Sequence, residues 1–149
     1  MSFERHGVVV PLDDIIQMVE ETAEGAWQVD VVRSTDGARN CFFGHLHAYG
    51  TQRAADLTAD TIPAFIRQRN PSLSAQDCFA SQLWDWFECA YATTYAIYPV
   101  NDGTNPDYQQ PTPRQRVLAY LLALASGDEL TTMQAMDRDY AASLEGAPA

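Results

Sequence analysis

The chain has 149 residues, with 9 basic side chains against 20 acidic ones and a formal net charge of −11 at pH 7. Its 46% hydrophobic and 11% aromatic content excludes a disordered chain and is sufficient for one packed domain spanning 1–149. Every basic residue is an arginine, which removes lysine-based chemistry such as a Schiff base and fits the codon usage of a GC-rich genome.

So acidic a surface lacks the cations that displace counterions from nucleic acid or approach lipid phosphates, so neither direct nucleic-acid binding nor membrane binding is expected. The richest apolar stretch, Phe79 to Val100, is interrupted by Gln82, Asp85 and Glu88 and does not read as a membrane span. Cys41, Cys78 and Cys89 have no regular spacing, and the first residues do not resemble a leader. A cytoplasmic location follows as the expectation.

In chain order, Val8–Val10 reads as a short strand or extended lead-in. Leu12, Ile15, Ile16 and Val19 then recur at helical spacing, predicting a helix from about Pro11 to Glu24 that Gly25 closes in the left-handed conformation. The alternation over Ala26–Arg33, the turn Thr35-Asp36-Gly37 and the return Ala38–Phe43 predict a β-hairpin. Gly44–Gly50 reads as a short helix, and Thr61–Arg67 as another that Asn70-Pro71 stops. Ser74 with Asp77 opens the longest helix, apolar on most sides, which runs to Tyr98 and ends at Pro99. After the loop Asn101–Pro111, Thr112-Pro113-Arg114-Gln115 starts a helix that stops at Ser126-Gly127. A last helix covers roughly Leu130 to Leu144, and the tail from Glu145 frays. The expected fold is α+β, mainly helical, with about five helices around the central long one and a small hairpin. The helix from about residue 128 is expected to be an interaction appendage.

Cys41 is the most suggestive residue for chemistry, because the turn Cys41-Phe42-Phe43-Gly44 sets a thiol beside helix-terminal amides that favour a thiolate. His45 lies one helical turn on, His47 is near, and Asp102 offers an orienting acid, so these four are the candidate catalytic residues. The alternative is a buried cysteine packed against two phenylalanines. Cys41, His45 and His47 are ligand types for zinc or copper, but on a helix 45 and 47 diverge, so no metal site is assigned. Asp85 and Glu88 share a helix face, as acid/base partners or as a hydrated stripe. The Asn101–Asp107 loop does not match a calcium loop, and no phosphate-cradling, dinucleotide or zincin motif is present, so no cofactor is expected. Arg67/Arg69 and Arg114/Arg116 form close pairs, the second in a first helical turn where arginine opposes the dipole and calls for an acid or ligand. Trp84, Met133, Met136 and Tyr140 are the candidate binding residues, the last three forming a stripe on the final helix.

Gly25-Ala26-Trp27-Gln28, Cys41-Phe42-Phe43-Gly44, Asn101-Asp102 and the helix from Thr112 to Leu124 together resemble a family of small actinobacterial and actinophage proteins, a domain of unknown function with G-x-x-Q, C-x-x-G and N-D motifs. The resemblance covers about half the chain and implies that the strand over Ala26–Arg33, the Cys41 turn and the Asn101-Asp102 pair meet in space. It implies no activity.

Without an enzyme signature, the residues point first to a non-enzymatic acidic domain that binds a protein partner or self-associates, as an inhibitor of a basic nucleic-acid-binding protein would. The alternative is a cysteine-dependent enzyme or small-molecule binder centred on Cys41, which needs a thiol of depressed pKa in a cleft.

Overall fold

The computed structural model describes residues 2–5, 8–32, 34–36, 38–55 and 75–146. The described helices are α1 (Leu12–Glu21), α2 (Phe42–Ala55), α3 (Ala75–Ala90), α4 (Thr94–Asp102), α5 (Pro113–Ser126) and α6 (Thr132–Glu145). The expected helix at Thr61–Arg67, with Arg67 and Arg69, lies outside the described residues.

α1 forms because its apolar residues fall on one stripe, and Leu12, Ile15, Ile16 and Val19 are all buried. It ends at Thr22 in an extended conformation, and Gly25 falls inside a short 3-10 turn, Glu24–Ala26, without a positive φ; the expected glycine stop is not used. α1 packs on α5, α2 on α3, and α4 on α5. Between them lies one core, with Trp86, Tyr91, Phe42, Phe43 and Phe87 fully enclosed. Phe42 and Phe43 both pack against Phe87, with ring centroids 4.8 and 6.0 Å apart.

The α+β expectation is overturned: the fold is helical, and the hairpin over Ala26–Phe43 does not form. The Thr35-Asp36 turn is real, closed by Ser34 Oγ donating to Asp36 Oδ1 at 2.6 Å and by the Ala38 amide on the same carboxylate at 3.0 Å. Its flanks, however, share only an isolated parallel bridge between Trp27 and Asn40. Asp30 sits at φ 69° and the Val31 amide turns back to the Val29 carbonyl, which breaks the extended chain. Val29, Val31 and Val32 are exposed, so the alternation was not aimed at a core. The one ladder among the described residues is an antiparallel ribbon at the start of the chain, Ser2–Arg5 against Val8–Pro11. Two strands of four residues are too small to be a layer on which helices stack.

The expected long helix is two. α3 stops at Ala90, and α4 begins afresh with Thr93 as its N-cap, whose Oγ1 accepts the Ala96 amide at 3.3 Å. Pro99 lies inside α4 rather than ending it. The proline leaves the Tyr95 carbonyl without its helical donor, on the turn whose side chain is 92% exposed. α4 ends at Gly103 (φ 83°) and α5 at Gly127 (φ 86°), where the left-handed conformation favours glycine.

Candidate functional site

Two arrangements stand out, a buried polar junction and an exposed helix face.

The junction is organised by Asn101, which is fully buried at the end of α4. Its Oδ1 accepts the Phe42 amide at 3.0 Å, supplying a partner for a free N–H in the first turn of α2. Its Nδ2 donates to the Gln28 carbonyl at 2.9 Å and to Asp102 Oδ1 at 3.0 Å. Asp102 Oδ1 also accepts the Asp30 amide at 3.1 Å, holding the loop at its positive φ. The segment after the 3-10 turn, the Cys41 turn and the Asn101-Asp102 pair therefore do meet, around a small cavity of about 170 Å³ lined by Asp30, Val31, Val32, Cys41, Tyr98 and Asp102.

The contents of that cavity are poorly suited to nucleophilic chemistry. Cys41 is 1% exposed, and burial pushes its thiol pKa up despite the Phe43 and Gly44 amides that favour the thiolate; the Asp102 carboxylate pushes it the same way. The depressed pKa that the cysteine reading requires is absent. His45 is buried against Trp27, ring centroids 4.5 Å apart, and its Nε2 lies 2.8 Å from the Ala26 carbonyl, a geometry in which the ring nitrogen donates. Burial pushes the imidazole pKa down, more than that bond raises it. His47 is half-buried and lines, with His45, Tyr49 and Trp84, a separate open groove of about 580 Å³ along α2, walled on its other side by Met18 and Thr22 at the end of α1 and by Val32 and Asn40 of the loop. Trp84 stacks on Phe43 at 4.5 Å and 10°, so much of its binding surface is already used in packing. Gly44 explains the last position of the C-x-x-G turn: a Cβ there would stand 2.6 Å from the Val32 carbonyl oxygen and 2.7 Å from Asn40. Among the described residues no group of three or more His, Cys, Asp or Glu side chains is placed to hold a metal ion.

The arginines of α5 answer the question their position raised, with only one of the two meeting an acid. Arg114 donates to the Val19 carbonyl at 3.0 Å and the Glu20 carbonyl at 2.5 Å, and pairs with Glu24 at 3.0 Å. Arg116 is buried and meets three carbonyls instead: Val100 at 3.1 Å, Gln110 at 3.0 Å and Asn101 at 2.8 Å. Each opposes the dipole of its own helix but complements the carbonyl end of another, α1 for Arg114 and α4 for Arg116. Glu88 is likewise structural, accepting Thr94 Oγ1 at 3.3 Å across the α3–α4 break.

The exposed face belongs to α6. The helix starts with a full capping box, Thr131 with Gln134. Its first turn is tied to the end of α3 by the Thr132 amide on the Tyr91 carbonyl, 3.1 Å, and by Thr132 Oγ1 on the Glu88 carbonyl, 2.8 Å. Beyond that no residue of α6 is buried. Met133, Met136 and Tyr140 are 57, 66 and 67% exposed, and Leu144, missed in the sequence, is 58% exposed and continues the same stripe one turn on. Tyr95 on α4, also missed, is a further exposed large side chain.

No family model, curated protein or solved structure matches the chain. No described helix is long and apolar enough to cross a membrane.

Proposed function

We propose that the protein is a non-enzymatic binding domain that docks a basic protein partner through α6. One observation carries this reading: a capped helix with no buried residue displays Met133, Met136, Tyr140 and Leu144 along one side. A helix of fourteen residues is marginal in water unless its apolar stripe packs on something, and methionine-bearing surfaces suit adaptable contacts. Asp137, Asp139 and Glu145 share α6 with the stripe, and Arg138 is the lone cation of the helix. Like charges oppose self-association through this face, and the net charge of −11 favours a cationic partner. A partner whose cationic surface also binds nucleic acid would be inhibited by occupancy. The resemblance to the actinobacterial and phage family belongs to the same proposal, as the setting in which such an inhibitor acts.

The test compares the wild-type protein with the double variant Met133→Gln, Met136→Gln as bait at low salt and at about 0.5 M salt, where exposed charges more than a few Å apart are screened. A basic protein held by the wild type alone, and only at low salt, is the expected result. Equal capture by both baits, or none at low salt, overturns the reading.

A further inference from the structure

Beside the stripe, between the first turns of α6, the start of α4 and α5, lies a hollow of about 200 Å³ whose apolar walls include Tyr91, Ala96, Tyr120, Leu130, Ala135 and Met136. The threonine hydroxyls on its wall are already engaged: Thr93 Oγ1 accepts the Ala96 amide, Thr131 Oγ1 the Gln134 amide, and Thr132 Oγ1 donates to the Glu88 carbonyl. The hollow therefore offers a mainly apolar surface, with the two tyrosines among its walls and one charge at its rim, the Asp139 carboxylate. That carboxylate holds Arg138 at 3.1 Å, but the two side chains are 63 and 72% exposed, and such a pair exchanges readily for another cation. A cavity of about 150 Å³ suffices for a benzene ring, so this one accommodates a single large side chain.

We infer that the hollow receives the anchor residue of a basic amphipathic helix on the partner protein, a large aliphatic or aromatic side chain, with a lysine or arginine of that helix meeting Asp139. This rests on the reading of α6 as the docking face and specifies what docks there. The anchor fills the hollow between α6 and the body of the domain, neighbouring apolar residues of the same helix lie along Met133, Met136 and Tyr140, and its cations face Asp137 and Asp139. Such an arrangement is the usual form of a helix laid on an apolar face, with one buried anchor surrounded by contacts that exclude water. A second copy of this chain fits poorly, since its own exposed stripe carries acids where the surface asks for cations.

The experiment uses defined probes, two Lys/Leu amphipathic helical peptides that differ only in a central Phe or Ala, and a Glu/Leu peptide with the central Phe, titrated into the full chain by fluorescence anisotropy. The Phe peptide is expected to bind about tenfold or more tightly than the Ala peptide, and the Glu/Leu peptide not at all. Ala135→Phe, which fills the hollow from the domain side, should remove the Phe-over-Ala preference with the helical circular dichroism signal retained. Asp139→Asn should weaken the Phe peptide at low salt by about two- to fivefold. Equal binding of Phe and Ala peptides, or no binding of either, overturns the inference. If Met133→Gln still weakens the Lys/Leu peptides in the first of those cases, the docking face stands and only the anchor falls; if Met133→Gln changes nothing, both fall. Concentration-dependent dimerisation that Ala135→Phe abolishes would assign the hollow to a second copy and likewise overturn it.

Discussion

The Asn101 junction and the last helix are built on opposite terms. At the junction one carboxamide, fully enclosed, ties down two segments far away in sequence, at Gln28 and Phe42, and Arg116 on the neighbouring helix seals three carbonyl groups beside it. In α6 the polar work is finished within the first turn, and everything after Ala135 faces outward. Polar groups in the core raise the penalty for any change there, because each lost partner leaves a desolvated group behind; the same change on α6 leaves only water.

The sharpest way to break the contrast is Asn101→Leu, which strands the Phe42 amide and the Gln28 carbonyl and is expected to cost about 3 kcal/mol or more in urea unfolding. Arg116→Met should follow at about 2–3 kcal/mol, with Arg116→Lys recovering only part, since an ammonium does not span the Val100, Asn101 and Gln110 carbonyls as a planar fork does. Gly44→Ala forces the Val32 backbone away and should cost about 1–3 kcal/mol by the same measurement.

His45 sharpens the comparison through pH. Its folded pKa lies below the ordinary 6.5 because of burial, so the unfolded chain binds the proton more readily. The stability it contributes is full above pH 6.5 and declines as pH falls from there through the folded pKa. Urea midpoints measured from pH 8 to pH 5 should show this loss in the wild type and a flatter profile in His45→Gln. At the other extreme, Met136→Gln and Leu144→Gln should each shift stability by no more than about 0.5 kcal/mol while weakening partner binding.

The contrast also explains what was legible in the sequence. The α1 stripe, the Thr112-Pro113 start and Gly127 stop of α5, and the exposed Met133-Met136-Tyr140 face could be read because each depends on neighbours within a few residues. The hairpin could not be excluded that way, since what overrides the alternation at Val29–Val32 is a carboxylate more than seventy residues downstream bonding the Asp30 amide. Thr93 was hidden by the apolar run on both sides, so α3 and α4 read as one helix and Pro99 as its end. Arg116 carried a local signal, arginine at the wrong end of a helix, but its partners are backbone carbonyls of α4 and of the loop residue Gln110, and no sequence pattern marks them. Cys41 was read in a strand-to-helix turn with the helix starting at Gly44, whereas the helix begins at Phe42 and the burial of the thiol depends on the loop folding over it.

Among the described residues, the hydrogen bonds that join α6 to the rest come from Thr132 in its first turn, so the helix is expected to open as a unit of its own. Its amide hydrogens beyond Ala135 should exchange with deuterium through a local opening that leaves α1 to α5 closed. A bound partner would slow exchange in this segment first, so the helix carries a readout of its own occupancy.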